Sequence, residues 1–164
     1  MQRDLEIQEG KDDRDTRLTL ALAWSFVLFN YVYADIGMFA KVIASESLLA
    51  RFQELGSTFT DLFMLAAAAV MEIPIAMVLL SWVLAQRAAR WANIASGIVM
   101  TLVILGTLFG AGKVPPINFY TFFQVIEIAA TAGISLYAWR WRTPSKAASG
   151  RVPAAGSAAF GGAV

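Results

Sequence analysis

The 164-residue chain contains neither cysteine nor histidine. Disulfide frameworks, thiol redox relays, His-ligated haem, His/Cys zinc sites and Ser-His catalytic dyads are therefore excluded by inventory. Charge is scarce as well: Asp, Glu, Lys and Arg together make up 15% of the residues, against about 25% in soluble domains. The net charge of +1 gives no reason to expect nucleic acid as a partner. What is abundant is apolar. Such residues reach 58% of the chain, above the roughly 45–50% of soluble proteins, and they are gathered into four long runs almost free of charge. A soluble core of this size needs no such runs, whereas a bilayer does. The composition predicts an all-α, polytopic membrane protein, a four-transmembrane-helix bundle with the lipid bilayer as its first partner and no cofactor or metal motif.

Residues 1–17 are polar and carry six acidic and four basic residues, so they lack the basic start of a secretory signal peptide and read as a charged segment ahead of the membrane domain. Four apolar runs follow, at about Leu18–Phe39, Leu62–Leu84, Ala92–Gly110 and Ile117–Trp139. Each is long enough to cross a hydrocarbon core of about 30 Å. Between the first two, Leu48, Leu49, Phe52 and Leu55 repeat at helical spacing before Gly56. That pattern predicts a short outer helix, either lying in the membrane interface or packed as a lid over the bundle. The membrane domain is thus read as residues 18–142. Residues 143–164 are dominated by Ala, Gly and Ser and are expected to be a disordered tail.

Ten Lys and Arg residues fall in the N-terminal segment, the second connection and the tail, while only Lys41, Arg51 and Lys113 fall on the opposite side. Basic residues near span ends are retained in the cytoplasm, so both termini are expected there. Trp82, Trp91, Trp139 and Trp141 then all lie at the cytoplasmic boundary, where amphipathic rings settle.

Within the spans the ionisable residues are Asp35, Glu72 and Glu127, with no Lys or Arg at their depth. A carboxyl in that position keeps its proton, shares one with another carboxyl, or holds a cation. Helical rise places Glu72, Glu127 and Asn30 near the midplane, with Asp35 roughly 10 Å further out. In the fourth span Tyr120, Gln124, Glu127, Thr131 and Ser135 form one face, which must turn inward. In the second span Pro74 frees the carbonyl of Val70 near Glu72, because proline has no N–H to donate. The small residues Ala68, Ala69 and Ala76 around Glu72 let a neighbouring helix approach. In the first span Tyr31 and Asp35 share one stripe, and Asn30, Tyr33 and Gly37 another. The third span ends in a GxxxG pattern, Gly106 to Gly110, of the kind used for close helix packing. A faint echo relates Val70-Met-Glu-Ile to Val125-Ile-Glu-Ile, as two repeated hairpins would produce.

The runs FNYVYADI, MEIPIAMVLLSWVL, RWANI and YTFFQVIEIAATAGISLYAW, in that order, resemble a family of small four-helix bacterial inner-membrane proteins known only as a domain of unknown function. The resemblance covers roughly residues 17 to 142. It implies the four-span fold and a bacterial inner-membrane location, and it brings no activity.

Three functions remain open on the residues. Glu72 and Glu127, with Asp35, Asn30, Gln124 and Tyr120, form a proton- or cation-binding site of a channel or transporter subunit. Alternatively, the acids are bundle hydrogen bonds of a non-catalytic accessory or scaffold protein, or they fix the polar head of a lipid, quinone or hydrophobic cation. An enzyme is not expected, since no nucleophile or metal motif accompanies the carboxyls. Four short spans leave little room for a private aqueous path, so transport implies a homo-oligomer.

Overall fold

The computed structural model describes residues 1–109 and 118–141. They form five helices: α1 (Gln2–Ile43), α2 (Glu46–Thr58), α3 (Asp61–Val83), α4 (Gln86–Phe109) and α5 (Phe119–Arg140). Among the described residues there is no strand. Four helices, all but α2, are long and apolar enough to cross a membrane, so the chain is a multi-pass membrane protein and the bilayer is its solvent. The expected tail at 143–164, the end of the third run at Gly110, Lys113 and the start of the fourth run at Ile117 lie outside the described residues.

Helix starts follow the local sequence. Ser45 accepts from Leu48 N–H ahead of α2, Thr60 accepts from Phe63 N–H ahead of α3, and Asn118 accepts from the N–H groups of Tyr120 and Thr121 ahead of α5. Each oxygen satisfies an N–H left without an intrahelical acceptor at a helix start. The charged N-terminal segment is part of α1, which runs unbroken for 42 residues. Side-chain pairs one turn apart, Gln8 with Asp12 at 3.0 Å and Asp13 with Arg17 at 2.8 Å, support it. The second connection shrinks to Leu84 and Ala85, and Arg87 and Arg90 belong to α4.

The spanning helices form a ring in which α1 touches α3 and α5, and α4 touches the same two. The α4–α5 seam is the most extensive. There the Cβ of any larger residue at Gly97 would sit 2.8 Å from the Thr131 carbonyl oxygen and would also meet Ser135. Along the seam Thr101 and Thr131 share a hydrogen bond of 2.8 Å, and Ser135 Oγ donates to the Ile94 carbonyl at 3.3 Å. The close-packing glycine is therefore Gly97. Gly106 has nothing within 4 Å of a Cβ built on it, so it does not serve the packing role expected of it.

At one end of the bundle Arg17 closes α3. Its Nη1 lies 3.0, 3.3 and 2.9 Å from the carbonyl oxygens of Ser81, Trp82 and Leu84, which a helix C-terminus leaves unpaired. Its guanidinium lies 5.4 Å from the Trp141 ring centroid, and Trp141 is buried there rather than exposed like Trp82, Trp91 and Trp139. Both α1 and α5 meet at this Arg17 end. Just inside it, Trp24, Asn93 and Ser81, all fully buried, are joined across three helices. Trp24 Nε1 donates to Asn93 Oδ1 at 2.8 Å, Asn93 Nδ2 donates to Ser81 Oγ at 3.2 Å, and Ser81 Oγ donates to the Met77 carbonyl at 2.7 Å.

At the opposite end α2 lies against α1, with the Phe39 and Phe52 rings 6.0 Å apart. None of its residues is buried, which removes the packed-lid reading. Its Leu48, Leu49, Phe52 and Leu55 are all exposed, leaving an amphipathic helix with a free apolar face.

Candidate functional site

The polar face of α5 turns inward as its spacing requires. Gln124, Glu127 and Thr131 are buried, with Glu127 only 4% exposed. Tyr120, at the α2 end, is partly exposed, and Glu127 lies about 10 Å deeper by helical rise. On α1 the stripe of Tyr31 and Asp35 lies within electrostatic reach of this face. The charge of Asp35 acts on Glu127 and Tyr120, and that of Glu127 acts on Tyr31 and Tyr120. The Tyr31 hydroxyl is buried without a hydrogen-bond partner among the described residues. Two carboxyls and two phenols of α1 and α5 thus lie within electrostatic range of one another in the α2-end half of the bundle.

Beside this cluster, aromatic rings hold the two helices together. Tyr33 meets Phe123 at 5.7 Å between centroids, Phe119 meets Phe123 at 4.9 Å, and a larger residue at Gly37 would strike Phe119. The second α1 stripe, Tyr33 with Gly37, is therefore the one that packs against α5, while Tyr31 points to the bundle centre.

Among the described residues no basic side chain is paired with the cluster. The two ion pairs among the described residues join Met1 to Asp4 and Asp13 to Arg17, far along α1 from it. Lys41 lies toward the α2 end, its ammonium 5.8 Å from the Phe119 ring centroid. A buried carboxyl without a base, here Glu127, favours an occupant that carries positive charge, a proton being the smallest.

The other expected residues are placed differently. Gln124 shares the α5 face but spends its amide on Thr107 Oγ1 at 3.1 Å, tying α5 to α4. Asn30 is buried, and its amide donates to the Phe26 carbonyl of its own helix at 3.0 Å. Glu72 is exposed on α3 and does not join Glu127. The cause is rotational: α3 buries Pro74, Met77 and Ser81, and at 100° per residue Glu72 lies nearly opposite that face. The echo between the Glu72 and Glu127 segments is thus not an equivalence of environment.

Tyr31 belongs to the cluster although its chemistry alone did not mark it, the available signal being its spacing of one helical turn from Asp35. The Trp24–Asn93–Ser81 network was not legible. Asn93 stood at the edge of an apolar run, where a polar residue is ordinary, and its partners are 69 and 12 residues away.

A second feature lies on the Arg17-end half, where α1 and α5 part to leave an apolar groove of about 450 Å³. Ala23, Ala130 and Gly133 supply its small floor, with Phe26 and Tyr137 at its walls.

The family model of a family of unknown function, DUF6326, matches residues 5–148. No curated protein and no solved structure matches the chain.

Proposed function

The chain belongs to this family of unknown function, and on the geometry of its site we propose that it is a proton- or cation-binding subunit of a membrane transporter. The site is the Tyr31–Asp35–Tyr120–Glu127 cluster. The observation that carries this reading is Glu127: a carboxyl 4% exposed, with a second acid close enough to act on it and no basic partner among the described residues. Packing alone calls for one hydrogen-bonding group per contact, and the α4–α5 seam already has its threonines.

Access runs from the α2 end, through exposed Asp35 and Tyr120. The Arg17 end is blocked by Leu20, Trp24, Ser81 and Asn93, all essentially inaccessible. A fixed pore through one bundle is therefore disfavoured, and transport requires this plug to move or a second subunit to complete the path. The distribution of Lys and Arg supports a cytoplasmic location for the Arg17 end and, with the resemblance stated above, a bacterial inner membrane. The inventory without His or Cys supports a binding role rather than catalysis.

A hydrophobic cation is the second reading, favoured by the rings of Tyr33, Phe119 and Phe123 in the same half of the bundle as the acids, which attract cations through their faces. The apolar groove between α1 and α5 offers room for its chain.

Flux into liposomes tests the proposal, with protons, Na⁺, K⁺ and tetraphenylphosphonium each offered to wild type, Glu127→Gln and Asp35→Asn. We expect wild-type flux of at least one of these above empty liposomes, abolished by Glu127→Gln and reduced by Asp35→Asn. Flux unchanged in both variants would remove the cluster from the transport path.

A further inference from the structure

The carboxyl that the bundle leaves outside requires its own account. Eleven residues of α3 precede Glu72 and eleven follow it, so it sits about 16 Å from either helix end. It is exposed on the face opposite the packed one. Leu65, Leu79 and Val83 on that face are 67%, 68% and 79% exposed, as lipid-facing side chains are. A carboxyl in their midst is costly to leave against hydrocarbon, and ionisable residues at this depth almost always meet another polar group. Among the described residues no hydrogen bond or ion pair reaches it, and 16 Å is beyond the reach of a lipid headgroup.

We propose that this face of α3 is the contact surface for a second copy of the chain, with the Glu72 carboxyls of the two copies hydrogen-bonded to each other. The complementarity is chemical. A two-fold axis along the membrane normal brings identical residues to identical depth, so the partner presents a carboxyl where one is needed. Two carboxyls that keep at least one proton between them act as donor and acceptor without a base, and the spans contain no base at that depth. The surface permits the approach. Ala68 and Ala76 stand one turn either side of Glu72 with Ala69 beside them, a small–acid–small stripe of the kind that lets helix backbones come close. Moreover, no residue from Asp61 to Ala69 is even half-buried in the single bundle, so this half of α3 is free to receive a partner helix. The contact is independent of the Glu127 cluster, since Glu127 is buried inside the bundle and Glu72 is exposed on its outer face.

Because the chain has no cysteine, single substitutions report contacts directly. Ala68→Cys and Ala76→Cys on α3 are compared in native membranes with Leu102→Cys on α4 and Leu136→Cys on α5, both exposed. We expect oxidation to give covalent dimers from the α3 positions and not from the α4 and α5 positions. In parallel, energy transfer between labelled copies is followed as the purified protein is diluted with lipid. Glu72→Gln, which keeps a donor and an acceptor, retains the wild-type midpoint, whereas Glu72→Leu dissociates at a protein-to-lipid ratio about tenfold higher. Equal crosslinking at the α4 and α5 positions, or an unchanged midpoint in Glu72→Leu, would overturn the proposal. So would a wild-type protein that is monomeric in pure lipid, with Glu72 covered only by a different protein in native membranes.

Discussion

Residues that look alike in the sequence have opposite roles in the fold, and glycine shows it most simply. Gly97 lies against the Thr131 backbone, which cannot move aside, whereas Gly106 faces open space. Gly97→Ala should therefore lower stability by about 1–3 kcal/mol through overpacking of the α4–α5 seam. Gly106→Ala should be neutral or stabilising by about 0.5–1 kcal/mol, from helix propensity alone. Thermal melts of the detergent-solubilised variants give the comparison. Asn93 provides a second case. Asn93→Leu fills the same space but strands the Trp24 indole N–H in a fully buried site, a loss of roughly 1–3 kcal/mol that the same melts would register. The inward polar stripe of α5 was legible because its period matches the helix. Run position encodes the depth of Glu72 but not the rotation of α3: two acids at one level face different solvents when their helices turn different sides to the core.

Among the elements, the four spans follow from run length, and their observed ends shift for local reasons. α4 begins six residues before the expected Ala92, and in this added turn Arg90 Nη2 donates to the Trp139 carbonyl at 2.8 Å. α1 extends back to Gln2 because no proline interrupts it. The short outer helix was legible from its apolar repeat, which Gly56 does not stop, since α2 continues to Thr58. The clasp that Arg17 makes on the end of α3 was not legible, because it joins residues more than 60 apart. Its removal has a defined cost. Arg17→Met keeps the apolar stem and loses the charge-assisted bonds to the α3 carbonyls, and stability should fall by about 1–3 kcal/mol. Arg17→Lys should recover only part of this, since an ammonium lacks the planar fork of the guanidinium. Hydrogen exchange at the last turn of α3 should rise in Arg17→Met ahead of global unfolding. Unchanged exchange there would show the clasp to be dispensable.

For the molecule as a whole, the helix order around the ring divides the bundle into two unlike halves. Pairing α1 with both α3 and α5 puts the hydrogen-bonded Trp24–Asn93–Ser81 network in the Arg17-end half and the Tyr31 phenol with two acids toward the α2 end. Neither the ring order nor this division is encoded in run lengths or charge bias, which specify only how many helices cross and in which sense. The asymmetry is what supports an occupant entering from one side. Infrared difference spectroscopy on lipid-reconstituted protein, exchanged between buffers with and without the cation found to be transported or across a pH step, observes the carboxyls themselves. The account predicts a carboxyl band change in wild type that survives in Glu72→Gln, shifts in Asp35→Asn and disappears in Glu127→Gln. A band change that persists undiminished in Glu127→Gln would contradict it.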